Sequence, residues 1–291
     1  MSSPDTPASP APPQVWLITG AGSGLGRALV DAALARGHCV AGTVRRPADA
    51  QALEALAPGR VMALRLDVTD TEGVRTVVAA VEARFGHIDV LVNNAGYGLV
   101  AGVEEASLDE ARTQFEVNVF GALAMMQAVL PAMRRRRAGT LVNITSVSGL
   151  VGWPSLGIYS GSKFALEGIS ETLAQEVAGL GIRVMMVEPG GFRTDFAGRS
   201  RVRATQVIAD PGYLDGALGT CKRTLDEHAG HERGDPARAA AAICQALEAE
   251  TPPLRLLLGA DALGYVLGKQ AGQQAELARW LALTTSTDHV P

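Results

Sequence analysis

Cysteine is scarce in this chain of 291 residues: Cys39, Cys221 and Cys244 are scattered, odd in number and without metal-ligand spacing, which excludes a disulfide framework and a zinc module. A reducing cytoplasm is the compartment such usage fits. His38, His87, His228 and His231 likewise show no ligand spacing, so no metal is expected. Positive charge is in deficit, with 26 Lys and Arg against 30 Asp and Glu, and the net charge of -4 excludes nucleic acid as a general partner. No long uncharged apolar run is present, so no membrane span is expected. Residues 1–13, rich in Pro, Ser and Ala, lack the basic and apolar regions of a leader and read as a disordered tail. Repeats at solenoid spacing are absent too.

What the chain has is glycine, 33 residues of it, and an alternation of apolar runs with helical patterns. Strands are predicted at 15–19, 38–44, 61–66, 88–92, 141–145, 182–187 and 254–258. Helices are predicted at 25–36, 48–57, 71–85, 108–137, 158–179 and 236–249, the long one carrying Pro131 as a point of kinking. Strand–helix repetition of this size implies right-handed crossovers and a parallel sheet covered on both faces. The fold class is therefore α/β, a doubly wound sheet of the Rossmann type filling residues 14–259. Residues 192–235 break the rhythm and read as a lid, and 260–291 as a C-terminal extension with an amphipathic helix at 271–283.

Chemistry gathers at the strand ends, where such a sheet binds its ligand. After the first strand, Thr19-Gly20-Ala21-Gly22-Ser23-Gly24-Leu25-Gly26 opens a helix. Bare glycines let the backbone approach a pyrophosphate, and the helix N-terminus offers free N–H groups. The second strand ends in Arg45-Arg46, with no carboxylate to take a ribose 2′-hydroxyl. A guanidinium fork fits a 2′-phosphate, which points to NADP(H) over NAD(H), with Arg45 favoured over Arg46; the alternative is a pair of solvated cations. Asp67-Val68 ends the third strand and suits an adenine edge. Asn93-Asn94-Ala95-Gly96 ends the fourth and leaves room for ribose and nicotinamide. Pro189-Gly190-Gly191-Phe192-Arg193-Thr194 ends the sixth, with Thr194 able to hydrogen-bond a carboxamide.

One further stretch holds a proton donor. Tyr159 and Lys163 are four residues apart, on one helix face, and an ammonium group beside a phenol lowers its pKa toward a useful range. Ser146, thirteen positions before Tyr159, lies at the end of a buried strand. One hydroxyl would hold a carbonyl or alcohol and the other would protonate it.

These motifs together resemble the short-chain dehydrogenase/reductase family over about residues 15–258: the glycine turn, Asp67, Asn93 to Gly96, Asn118, Ser146, Tyr159-x-x-x-Lys163, and Pro189-Gly190 with Thr194. The resemblance implies strand order 3-2-1-4-5-6-7 and a catalytic tetrad. In it Tyr159 is the general acid or base, Lys163 lowers the Tyr pKa and binds the nicotinamide ribose, Ser146 polarises the carbonyl, and Asn118 holds a water linking Lys163 to solvent. It also implies homodimers or homotetramers assembled through the long helices. Gly161 and Phe192 depart from the family's usual residues, and Ser23 stands where NADP-preferring members often carry a basic residue, so NADP preference rests mainly on Arg45.

The substrate expected is a small-molecule carbonyl or alcohol. Tyr97, Ser148, Val151, Trp153 and Phe192 would line its pocket, whose apolar members fit a steroid, retinoid, lipid-like or aromatic ketone. Arg199, Arg201 and Arg203 could instead grip the phosphate of a 3-oxoacyl carrier. Two other classes share parts of this pattern: a cofactor-binding regulator, which tends to lose Tyr159 or Lys163, and an epimerase or dehydratase, which usually has a longer chain.

Overall fold

The computed structural model describes residues 12–194 and 200–289. Most of the tail expected at 1–13, and Arg199 of the lid, lie outside the described residues. In chain order the elements are β1 (Val15–Ile18), α1 (Gly24–Ala35), β2 (Cys39–Val44), α2 (Pro47–Glu54), β3 (Val61–Arg65), α3 (Thr71–Phe85), β4 (Val90–Asn93) and β5 (Gly98–Val100). There follow α4 (Leu108–Phe115), a π-helical segment (Glu116–Gly121), α5 (Ala122–Arg136), β6 (Gly139–Ile144), a 3-10 turn (Val147–Gly149), α6 (Gly157–Val177) and β7 (Ile182–Pro189). The chain closes with β8 (Arg201–Arg203), α7 (Pro211–Leu214), α8 (Ala217–Glu227), α9 (Pro236–Glu248), β9 (Arg255–Leu258) and α10 (Ala260–Thr285).

Seven strands form one sheet in the order β3-β2-β1-β4-β6-β7-β9, every neighbouring pair parallel. Counted within that sheet alone, this is the order 3-2-1-4-5-6-7. Strand side chains alternate between faces. Val15 and Leu17 join Leu91, Leu141 and the α3 and α5 residues Val78, Met125 and Val129. Trp16 and Ile18 join Val92, Val142 and the α1 and α9 residues Leu29, Ala33 and Ile243 on the other face. Two cores explain why these strands read as unbroken apolar runs rather than alternating ones.

Local signals set the helix ends. Asp70 caps α3 by accepting from the Glu72 and Gly73 N–H groups at 3.2 and 3.0 Å, and Gly86 ends it at φ +88°. Ser107 and Glu110 form a reciprocal capping box on α4.

The structure differs from the sequence expectation in several places. The irregularity in the long helix is the π-helical segment at Glu116–Gly121, not a break at Pro131, which lies within α5. A Cβ at Gly121 would come within 2.7 Å of Val68 Cγ2, so that segment is where the helix is drawn close to the end of β3. By length and composition, the helix from Leu108–Arg136 is also long and apolar enough to cross a membrane, at a mean hydropathy of 1.4, contrary to the expectation of no such run. Val119, Ala122, Met125, Met126, Val129 and Met133 bury one side of it in the core. The lid is partly regular: β8 pairs with β5 in a separate two-stranded parallel sheet, and α7 and α8 follow. The terminal helix starts at Ala260 rather than 271, because Gly264 and Gly268 hide its first turns from a propensity reading.

Candidate active site

The glycine turn is shaped by what touches it. Gly20 adopts φ +66°, and a Cβ at Gly26 would collide with Asn94 Nδ2 and with the Gly20 carbonyl oxygen. Asn94 Nδ2 donates to the carbonyls of Thr19 and Gly20 at 2.9 and 3.1 Å, while Thr19 Oγ1 accepts from the Asn94 and Ala95 N–H groups, each at 3.0 Å. The Nδ2 end of the Asn94 amide thus holds the turn from the end of β4. Leu25, half-buried, packs its side chain against the core. Ser23 makes no side-chain cap and the first turn of α1 carries no acid, so the helix N-terminus is open to an anion. This cradle of bare glycines and uncapped N–H groups fits a pyrophosphate.

Beside it, at the end of β2, Arg45 is exposed, while Arg46 is paired with Asp49 at 2.5 Å. Asp67 is exposed and accepts from Thr69 N–H and Oγ1 at 3.0 and 2.8 Å; the cap of α3 is Asp70. Val68 is buried. Pro189 and Gly190 end β7, and Thr194 N–H donates to the Phe192 carbonyl at 2.8 Å.

Asn118, Ser146, Tyr159 and Lys163 come together and are all buried. The Tyr159 hydroxyl is hydrogen-bonded with Ser146, whose Oγ also accepts from Ser148 N–H at 3.1 Å. Lys163 Nζ donates to the Ile144 carbonyl at 2.8 Å and lies 5.9 Å from the centre of the Tyr159 ring. Asn118 projects from the π-helical segment; its Nδ2 donates to Tyr97 O at 3.0 Å and Ser162 Oγ at 3.1 Å, and its Oδ1 accepts from Tyr97 N–H at 3.1 Å. A Cβ at Gly96 would come 3.1 Å from Asn118 Oδ1 and 3.7 Å from Lys163 Nζ, so Gly96 leaves the space above both open.

The electrostatics correct one expectation. Burial pushes the Tyr159 hydroxyl up to about 12, with the Ser146 hydrogen bond opposing, and pushes Lys163 down to about 8, with the Glu167 carboxylate opposing. In the protein alone desolvation therefore outweighs any lowering of the phenol by the ammonium. Tyr159 carries its proton at neutral pH, as a donor must.

A second buried group, invisible in the motifs, lies behind Lys163. Glu167, one turn further along α6, and Glu188 in β7 are 5% and 2% exposed and share Arg255 of β9, whose Nε is 3.3 Å from Glu167 Oε2 and 3.5 Å from Glu188 Oε1. Burial raises both carboxyls, Glu188 to about 7.

Around Tyr159 the wall is apolar. Val100 and Leu156 form a buried cluster with it, against which Trp153 and Leu225 of α8 pack. Of the other predicted pocket residues, Tyr97 meets Asn118 through its backbone, Ser148 and Val151 belong to the turn after Ser146, and Phe192 packs over Gly234, where a Cβ would be 2.5 Å from its ring. Arg201 and Arg203 both pair with Asp226 of α8, a contact that braces the lid. Buried Glu105 fastens the lid further, accepting from Lys222 Nζ at 2.5 Å, Gly102 N–H at 2.6 Å and Ile208 N–H at 3.3 Å. The helix α10 also reaches the site. Asp261 Oδ2 accepts from Gly191 N–H at 2.8 Å, Tyr265 stacks edge-on with Trp153 at 4.6 Å, and Lys269 Nζ donates to Leu150 O at 2.6 Å. No local signal in the sequence marks Glu105, Glu188, Asp261 or Tyr265.

Known proteins resemble this chain in sequence and in fold. A family model described as short chain dehydrogenase matches residues 14–204. Oxidoreductase BOA17 of Botryotinia fuckeliana is 38% identical over 265 residues, 91% of this chain and 93% of that protein. The 3-ketodihydrosphingosine reductase of Bacteroides thetaiotaomicron is 38% identical over 85% of this chain and 88% of its own. Among solved structures, a short-chain dehydrogenase from Streptomyces avermitilis superposes with a TM-score of 0.88 at 44% identity, covering 96% of this chain and 99% of that one. Two Burkholderia enzymes also match: that of Burkholderia phymatum, in complex with NAD, has a TM-score of 0.80 at 26% identity over 92% and 96% of the two chains. That of Burkholderia cenocepacia J2315, in complex with NADP, has a TM-score of 0.71 at 30% identity over 92% and 98%.

Proposed function

Because this chain belongs to the short-chain dehydrogenase family and is an oxidoreductase, we propose that it moves hydride between NADP(H) and an apolar ketone or aldehyde, or the corresponding alcohol, with NAD(H) as a second choice. The observation that carries this reading is the Tyr159 hydroxyl, buried, bonded to Ser146 and set among Val100, Leu156 and Trp153. The preference for NADP(H) is supported by exposed Arg45, and that for an apolar substrate by this wall and by a relative named for the reduction of a ketone, 3-ketodihydrosphingosine.

When bound, the nicotinamide cofactor supplies the hydride. The glycine turn and the N-terminus of α1 would hold its pyrophosphate, Arg45 a 2′-phosphate, Asp67 the adenine, and Gly96, Lys163, Pro189, Gly190 and Thr194 the nicotinamide end. Ser146 Oγ and Tyr159 hydroxyl donate to the substrate oxygen as negative charge develops there, and Tyr159 gives up its proton. Lys163 stabilises the phenolate left behind, and its tether to the Ile144 carbonyl keeps it in place. Leu108, Phe120 and Phe164, apolar and exposed on the long helices, support assembly into dimers or tetramers through those helices. Three free thiols, Cys39, Cys221 and Cys244, support a reducing compartment.

The test is a panel of apolar and polar ketones and aldehydes, with NADPH or NADH oxidation followed by absorbance. Net NADPH consumption with apolar carbonyls is expected. Cofactor binding without consumption across the panel indicates a regulator, and conversion of substrate without net consumption an epimerase; either overturns the reading.

A further inference from the structure

The helix α10 reaches well beyond the body of the protein. At about 1.5 Å per residue, its 26 residues span about 39 Å. Only Ala262 is buried, Asp261, Val266 and Lys269 are half-buried, and every residue from 270 to 285 is exposed. Among them and just before stand Leu263, Leu267, Leu277, Trp280, Leu281 and Leu283, each more than half exposed, and the four leucines 263, 267, 277 and 281 lie on one line along the helix. A single helix presenting so much apolar surface to water is unstable by itself.

The spacing of these residues says what covers them. Positions 263, 267, 270, 274, 277, 281 and 284 alternate steps of four and three, the interval of a heptad seam held over three heptads. The residues there are Leu, Leu, Gln, Gln, Leu, Leu and Thr, and all seven are exposed. Read from 263 to 281 the seam is also a palindrome about residue 272. The side of the helix that meets the body, through Ala262, Tyr265, Val266 and Lys269, is a different one, so docking leaves the seam free.

We propose that this seam is a self-pairing surface, on which α10 of a second copy of the chain lies antiparallel. In such a two-fold pair each layer joins one residue from each half of the helix. Leu263 meets the partner's Leu281, Leu267 meets the partner's Leu277, and Gln270 meets the partner's Gln274, each contact occurring twice. The two central glutamine layers satisfy one another, since each amide both donates and accepts, and they fix the register against slippage. The flanks agree. Along one side of the seam lie Gly264, Ala271 and Ala278, none larger than a methyl group, which lets the backbones approach closely; nothing lies within 4 Å of a Cβ built on Gly264 in the single chain. Along the other lie Val266, Gln273 and Trp280, and this register sets the partner's Trp280 against Val266. The charged residues Lys269, Glu276 and Arg279 all fall outside the seam and its flanks, so no like charges face each other.

This inference does not depend on the proposed reaction, and its test measures mass rather than turnover. Two full-length variants carry charge at exposed seam positions, Leu267→Glu and Leu277→Lys, and circular dichroism checks that both remain folded. By sedimentation velocity each is expected to have half the mass of the wild-type assembly, dimer to monomer, or tetramer to dimer if the long helices also pair. An equimolar mixture of the two is expected to regain the wild-type mass, because the antiparallel register sets the introduced carboxylate at position 267 of one chain against the introduced ammonium at position 277 of the other. A parallel pair sets position 267 against 267 and would not be rescued. A monomeric wild type, variants of unchanged mass, or a mixture without rescue overturns the proposal. So does flotation of the wild type, but not the variants, with phosphatidylglycerol vesicles at unchanged mass, which would make the seam a lipid-facing surface.

Discussion

Replacing Glu188 by Gln is expected to stabilise the protein above neutral pH and to leave it unchanged in mild acid. Glu188 is 2% exposed in β7, with its Oε1 3.5 Å from Arg255 Nε, and that guanidinium also serves Glu167 and Glu171. Burial first, and then the Glu167 charge, push its carboxyl up from an ordinary 4.5 to about 7, against the pull of Arg255. Between those values the folded chain holds a proton that the unfolded chain has released. Stability from this group is therefore complete below pH 4.5, falls as pH rises to about 7, and is lost beyond. At about 1.4 kcal/mol per pH unit the gap sets a ceiling of about 3 kcal/mol. Gln removes the titration but also the attraction to Arg255, so the net gain at pH 8 is about 1–2 kcal/mol, or about 3–6 °C in Tm. Scanning fluorimetry of both proteins from pH 5 to 9 measures it, the difference between the curves cancelling groups common to both. A constant difference across that range, or a variant less stable at pH 8, would refute the reasoning.

Tyr159→Phe should lower turnover by about 10²–10⁴-fold with cofactor affinity nearly unchanged, as read by single-turnover kinetics and fluorescence titration; full activity would remove Tyr159 from the chemistry. Arg45→Asp should move the ratio of kcat/KM values for NADPH and NADH toward NADH by about 10–100-fold, the worth of charge-assisted contacts to a phosphate. Glu105→Gln cuts the buried tie to Lys222 and is expected to speed proteolysis within 200–227 and raise substrate KM, with cofactor KM little moved. Equal digestion of variant and wild type would show that Glu105 does not fasten the lid.

Much of the sheet is legible because buried parallel strands write themselves as short apolar runs, and α3 is readable to the residue because Asp70 and Gly86 punctuate it. The π-helical segment is not, since a change from one hydrogen-bond step to the next leaves no mark on composition; Gly121 beside Val68 is its only trace. Within the site, Ser146, Tyr159 and Lys163 can be read because their chemistry needs fixed residue types at fixed intervals. Asn94 shows the limit: its place is visible, but that its amide binds the glycine turn depends on a contact across 74 residues. The tie from Glu167 to Arg255 and that from Lys222 to Glu105 are longer-range still, across 88 and 117 residues, and belong to tertiary packing alone.

The hydrogen bond from Gly191 to Asp261 gives the C-terminal helix two unlike halves. Up to Lys269 it is built into the loops that would grip cofactor and substrate, and beyond that residue every position to 285 is exposed. For protein engineering, the last sixteen residues of α10 are an exchangeable handle: another helix spliced on after Lys269 would change what the enzyme associates with while leaving its catalytic pocket as it is.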